Sequence, residues 1–165
     1  MKYMGSKRVL LTNGLGETLN TEMKGAKRFV DLFLGAAEVA HFVAQRHSLP
    51  VYGVDLQAYS AVLAEAIVGR CSGIQWKPIW VNWHRRSCNF VKRFDLPLID
   101  VQSRLTWKLV REYRAWSKEQ ESIAPITRAY GGHYLNPLQT LWVDAFCATL
   151  PIKYPDRTVA MAAVL

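Results

Sequence analysis

Apolar residues change their spacing several times along the chain, and each change marks an element. Arg28-Phe-Val-Asp-Leu-Phe-Leu34 is a short, dense apolar run, which predicts a buried strand. Gly35-Ala-Ala then opens a helical pattern with Val39, Phe42 and Val43 on one face, and Ser48-Leu-Pro50 stops it. Val51-Tyr-Gly-Val-Asp55 predicts a second short strand. Over residues 57–68, Tyr59, Val62, Leu63, Ala66 and Ile67 return at helical spacing, with Gly69 as a stop. Strand, glycine turn, helix, strand and helix in succession predict a βαβα unit with a parallel, right-handed crossover.

The second half reads as mostly helical. Leu105, Leu109, Tyr113 and Trp116 form one face of a helix expected over about residues 100–120. Asn136-Pro137-Leu138-Gln139 is a strong helix start: a capping residue, proline in the first turn and a glutamine three positions on. Behind it Leu138, Leu141, Trp142, Ala145 and Phe146 fall on the buried side. Asp156 is expected to cap a last helix that begins near Thr158. The pattern divides the chain into a βαβα part over residues 1–75 and a basic, aromatic and helical part over residues 76–165.

Charge is unevenly spread as well. Of the 165 residues, 21 are Lys or Arg and 13 are Asp or Glu, a net charge of +8. Residues 1–94 hold 13 of the basic and 6 of the acidic side chains, so the excess sits in the N-terminal half of the chain. Between Trp76 and Phe94, Lys77, Arg85, Arg86, Lys92 and Arg93 occur with no acid, interleaved with Trp76, Trp80, Trp83, Phe90 and Phe94. Cations neutralise phosphate and aromatic faces stack on bases, so this stretch suits nucleic acid. The i, i+4, i+7 spacing of the tryptophans equally suits a core stripe beneath a solvated basic face.

Half of the residues are hydrophobic, which excludes disorder over most of the length. No apolar run approaches the roughly 18 residues of a membrane span. No apolar stretch follows the basic start, so no secretory signal is expected. Cys71, Cys88 and Cys147 are odd in number and widely spaced, which favours a reducing, cytoplasmic compartment over a disulfide scaffold. The spacing of Cys71, His84 and Cys88 lacks a fourth ligand, and no metal site is expected.

The region from Asp31 to Asp55 carries the chemistry. A glycine directly after a buried strand lets a ligand approach the backbone, and the next helix offers free N–H groups and a positive dipole end. Asp55 lies 20 residues after Gly35, at the tip of the second strand. A doubly wound fold places a carboxylate there to accept hydrogen bonds from ribose hydroxyls. The unit is therefore a candidate binder of an adenosine-containing cofactor. Only Gly35 occupies the glycine turn, however, and a tight turn with a strand-capping Asp55 reads almost as well. No phosphate-cradling Gly-x-x-x-x-Gly-Lys-Ser/Thr loop is present, which argues against an NTPase.

Tyr3-Met-Gly5-Ser-Lys7, Asp31-Leu-Phe33-Leu-Gly35 and Val54-Asp55-Leu56 occur in that order, followed by Gly131-Gly132-His133-Tyr134 with Gln139 and Asp144. In this succession the chain resembles the N-terminal half of the D12 class of adenine-specific (N6) DNA methyltransferases. It departs from that pattern in carrying Ala37 at the second glycine of the cofactor motif. The resemblance implies an α/β, Rossmann-like, S-adenosylmethionine-dependent methyltransferase fold, here incomplete and with a mostly helical C-terminal segment. It implies S-adenosylmethionine as cofactor, held by Tyr3, Gly5, Lys7, Asp31, Phe33, Gly35 and Asp55. Lys7 would pair with the methionine carboxylate and Asp55 would hold the ribose hydroxyls. Double-stranded DNA would be the partner, with Lys77, Arg85, Arg86, Lys92 and Arg93 facing it and the target adenine flipped out of the duplex.

The family's Asp/Asn-Pro-Pro-Tyr/Phe catalytic motif is absent, since no two of the seven prolines are adjacent. The expectation is a truncated or split cofactor-binding portion, with no catalytic residue of its own and no methylation of DNA by itself. A strand normally supplied beside Arg28–Leu34 would then be missing. A second chain, self-association or marginal stability is expected to follow from that open edge. The alternative is a non-catalytic DNA-binding or interaction protein derived from such a fold.

Overall fold

The computed structural model describes residues 7–97, 105–120 and 122–165. The chain divides into two compact units. The first comprises Met1–Ile74 with Lys153–Ala163 and Leu165, and the second Gln75–Ile152 with Val164. Residues 153–163 thus group with the βαβα part, not with the helical part the sequence pattern attached them to. Within the first unit, the Tyr154 hydroxyl donates to the Gly69 carbonyl at 2.8 Å.

The first unit begins with α1 (Arg8–Leu10), which continues through a kinked segment at Asn13-Gly14 into α2 (Gly16–Glu22). Two parallel strands follow, β1 (Phe29–Asp31) and β2 (Val51–Gly53), paired Phe29 to Val51, Val30 to Tyr52 and Asp31 to Gly53. They are joined by α3 (Glu38–Arg46), and α4 (Ala58–Ile67) follows β2. The strands are shorter than the apolar runs that predict them. Beyond Asp31 the backbone turns away, yet the Val54 N–H still donates to the Asp31 carbonyl (2.8 Å) and the Leu34 N–H to the Val54 carbonyl (3.1 Å).

One face of the sheet is covered. Leu34, Ala37 and Ala40 are buried against Val51, Ala64 and Val68, which seats α3 and α4 on that side. The register pair Val30 and Tyr52 faces the other way, and both are exposed, 45% and 56%. Parallel sheets are normally covered on both faces, and among the described residues this one is not.

α3 starts at Glu38 rather than at Gly35. Gly35 and Ala37 both take positive φ, 53° and 59°, so the chain must finish a left-handed turn before a helix can propagate. Ala37 also stands where the family pattern has its second glycine, and it adopts the backbone conformation that glycine would supply.

The second unit is helical: α5 (Trp76–Val91), α6 (Trp107–Lys118), α7 (Pro125–Tyr130) and α8 (Pro137–Ala148). Its core joins Phe90, Ala124, Leu141 and Ala145, with Val91, Phe94, Leu96 and Trp116 around them. The expected cap at Asn136 is present in full. Its side chain accepts from the Gln139 N–H, and Gln139 accepts in return from the Asn136 N–H. The helix expected over 100–120 runs from Trp107, capped by Thr106, and residues 98–104 lie outside the described residues. The last helix, α9 (Asp156–Val164), includes Asp156 as its first residue, so Asp156 is not its cap. Pro155 precedes it with φ of −86° and already begins the turn.

Candidate cofactor site and basic helix

The cofactor candidates converge at the C-terminal ends of β1 and β2. Asp55 accepts from the Gly35 N–H through Oδ2 at 2.8 Å and from the Gln57 N–H through Oδ1 at 2.9 Å. These bonds, Gln57 first and Gly35 second, hold the carboxyl below its ordinary value of 3.8. Asp55 is therefore an oriented carboxylate at neutral pH. Its two oxygens retain lone pairs for further donors, since an ionised carboxylate has about four acceptor sites.

Asp31 is buried at the end of β1, 7% exposed. Its Oδ1 accepts from the Phe33 N–H at 3.2 Å, while its Oδ2 is buried without a hydrogen-bond partner. A buried carboxyl oxygen without a partner is costly. The side chain of Lys7 reaches over the same turn, with Nζ donating to the Phe33 carbonyl at 3.3 Å. Arg8 anchors that N-terminal segment through Nε to Glu38 Oε1 at 2.7 Å. Phe33, 79% exposed, and Leu56, fully exposed, leave apolar surface at the mouth. Lys7, Asp31, Phe33, Gly35 and Asp55 are thus brought together, whereas Tyr3 and Gly5 lie outside the described residues.

An ammonium at Lys7 and carboxyls at Asp31 and Asp55 are the groups at this end of the strands that could hold a charged or hydroxylated cofactor.

On α5 the aromatic and basic residues separate. Trp83 and Phe90 are buried, and the Trp83 indole N–H donates to the Phe146 carbonyl at 3.1 Å. Of the three tryptophans at i, i+4, i+7 spacing, Trp83 is the buried one, as the core-stripe reading has it. Trp76 and Trp80 remain 61% and 43% exposed, and Trp80 stacks on Phe146 at 5.8 Å. His84 stacks on Trp142 with planes 5° apart, so it is part of an aromatic stripe between α5 and α8.

The five cations are not brought to one face. At about 100° per residue, Lys77, Arg85 and Lys92 share the outward side, while Arg86 and Arg93 lie roughly a quarter-turn or more away. Arg86 is half-buried, with Nε buried and unpaired, and Arg93 lies over the Phe90 ring at 5.4 Å. Arg85 donates to Asn82 Oδ1 at 3.1 Å. A run of cations in sequence overstates the charge available to one ligand surface.

The sequence pattern singled out Asp144 only through the resemblance, and its structural role is separate. It is 2% exposed and accepts from the Ile126 N–H (2.9 Å), the Thr127 N–H (2.7 Å) and the Thr127 hydroxyl (2.7 Å). It thus caps the N-terminus of α7 from α8. Burial, and secondarily the Asp144 charge, push the nearby Cys147 thiol above its ordinary value.

Among the described residues no helix is long and apolar enough to cross a membrane. No curated protein and no solved structure matches the chain. A family model, D12 class N6 adenine-specific DNA methyltransferase, matches residues 3–91. That span covers the Tyr3–Lys7 sequence motif, both strands, the glycine turn and all of α5, and the chain belongs to the D12 class N6 adenine-specific DNA methyltransferases.

Proposed function

We propose that the first unit binds S-adenosylmethionine as the cofactor-holding portion of an adenine-specific DNA methyltransferase. The observation that carries this reading is the convergence of Lys7, the orphaned Asp31 oxygen and the oriented Asp55 carboxylate at one end of two parallel strands. Open α/β sheets bind their ligands at that end. The bound cofactor supplies an electrophilic methyl group for the exocyclic amine of adenine. The chain's own residues bind and orient: Asp31 and Lys7 take the amino-acid end, Asp55 the ribose, and the exposed Leu56 and Phe33 offer apolar contact to the adenine ring. Gly35 keeps the backbone open to close approach.

The chain contains no Pro-Pro pair and hence no Asp-Pro-Pro-Tyr element to hold the target amine. Methyl transfer depends on such an element, and the exposed apolar face at Val30 and Tyr52 is surface that further protein, from this or another chain, would cover. DNA is the partner, met by Lys77, Arg85 and Lys92 on the outward side of α5. Native mass spectrometry with S-adenosylmethionine tests the reading. One cofactor per chain is expected, with Asp55→Ala and Lys7→Ala each weakening it by about tenfold or more, as befits loss of a charged hydrogen-bond partner. No binding at millimolar cofactor by the folded chain would overturn it and favour a DNA-binding protein without methyltransferase activity.

A further inference from the structure

A recess of about 280 Å³ in the second unit lies outside the site described above. Its floor is Val110 and Tyr113 of α6, and its wall is the Gly132–Asn136 loop. The floor is rigid. Gly132 has φ of 74°, and a Cβ there would stand 2.9 Å from the Arg114 backbone nitrogen, so the loop lies directly on α6. Arg114 Nε donates to the Gly132 carbonyl at 2.9 Å, and the Gly132 N–H donates to the Leu135 carbonyl at 2.8 Å. The Asn136 capping box fixes the loop's far end.

The rim is the opposite. Trp107 is 78% exposed and Tyr134 is 91% exposed. Two large aromatic side chains on a fixed, apolar-floored recess are surface that a flat, π-bearing ligand would cover. Charge identifies the ligand class. Trp107, Arg111, Arg114 and Lys118 recur at steps of four, three and four, which places them along one side of α6 over roughly 16 Å at about 1.5 Å per residue. Arg111 and Lys118 are exposed, and neither has a carboxylate partner among the described residues. Glu112 and Glu119 fall away from that side. A row of cations leading from an aromatic recess matches a polyanion that carries aromatic rings.

We propose that this recess receives one unpaired nucleobase of a nucleic-acid strand, stacked against Trp107 and Tyr134, with the adjoining phosphates along Arg111 and Lys118. The inference rests on nucleic acid as the partner proposed above, but not on cofactor binding. Base stacking on an aromatic side chain tolerates sequence, so the contact reads an unstacked base and not a particular one.

Fluorescence anisotropy with three labelled oligonucleotides tests it: a paired duplex, the same duplex with one bulged guanine, and the same duplex with an abasic bulge. Guanine keeps the probe distinct from the target adenine of methylation. The full chain is expected to bind the guanine bulge about tenfold more tightly than either control. Trp107→Ala and Tyr134→Ala, both surface changes, should each reduce that preference and leave paired-duplex affinity unchanged. Arg111→Gln and Lys118→Gln should each lower the salt dependence of binding by about one counterion. Equal binding of the three probes, or a preference that survives both aromatic substitutions, overturns the proposal. S-adenosylmethionine binding is measured on the same samples. Its loss with the bulge preference intact sinks only the cofactor reading, and the reverse pattern sinks only this one.

Discussion

The Gly35 N–H donates to Asp55 Oδ2 at 2.8 Å, and this bond joins the turn after β1 to the tip of β2 across 20 residues of sequence. It orients the carboxylate and ties the glycine turn to the second strand. The proposed ribose contact and the local fold would therefore depend on the same side chain.

Acid should weaken the first unit through this bond. The Asp55 carboxyl is held below its ordinary 3.8 in the folded chain, so its stabilising contribution is present above that value and is lost as pH falls through the lower, folded value. Thermal melts from pH 7 to pH 2 should show the wild type more stable than Asp55→Asn at neutral pH. The gap should close only below about pH 4. A gap independent of pH would rule out the ionised-acceptor role.

Ala37 takes φ of 59° and is fully buried. Ala37→Gly removes a left-handed penalty of about 1–2 kcal/mol and forfeits a buried methyl worth about 1 kcal/mol. The net change in chemical denaturation should be within about 1 kcal/mol of zero, with cofactor affinity retained. Ala37→Val adds a β-branched side chain at positive φ in a filled site and should cost about 3 kcal/mol or more. Equal stability of the alanine and valine forms would show that the turn is not as described.

Removing the Asp144 carboxylate strands the part-buried Ile126 N–H and the buried Thr127 N–H at the start of α7. Asp144→Ala should destabilise the second unit by about 3 kcal/mol. Hydrogen exchange should place the loss of protection in α7 and in the loop that precedes α8. Protection unchanged at Ile126 and Thr127 would contradict the capping role.

The uncovered pair Val30 and Tyr52 predicts association. Sedimentation velocity of the chain alone should show concentration-dependent self-association, and Val30→Lys should shift the population to monomer. A strictly monomeric wild type at high micromolar concentration would rule out self-association through this face.

Much of the first unit was legible in the sequence because its signals are local. Dense β-prone runs, a glycine between strand and helix, and an acid at the second strand's tip all lie within a few residues of the structure they specify. The capping box at Asn136 was legible for the same reason. The apolar pattern starts α3 at Gly35, three residues early, because alanine at position 37 gives no hint of a left-handed backbone. The five cations of residues 77–93 read as one patch because a linear run hides the turn of the helix, which sends Arg86 and Arg93 away from Lys77, Arg85 and Lys92. The roles of Asp144 and of the Trp107–Tyr134 recess had no local signal, since their partners are 17 to 27 positions distant.

The sequence by itself determined the order of elements and the family, since hydrophobic period, glycine turns and motif chemistry are properties of short segments. Only the tertiary structure decided which Asp31 oxygen is left unpaired, which cations face outward, and which face of the sheet is uncovered. Burial and pairing are relations between segments far apart in the chain, and they exist only once the backbone has folded.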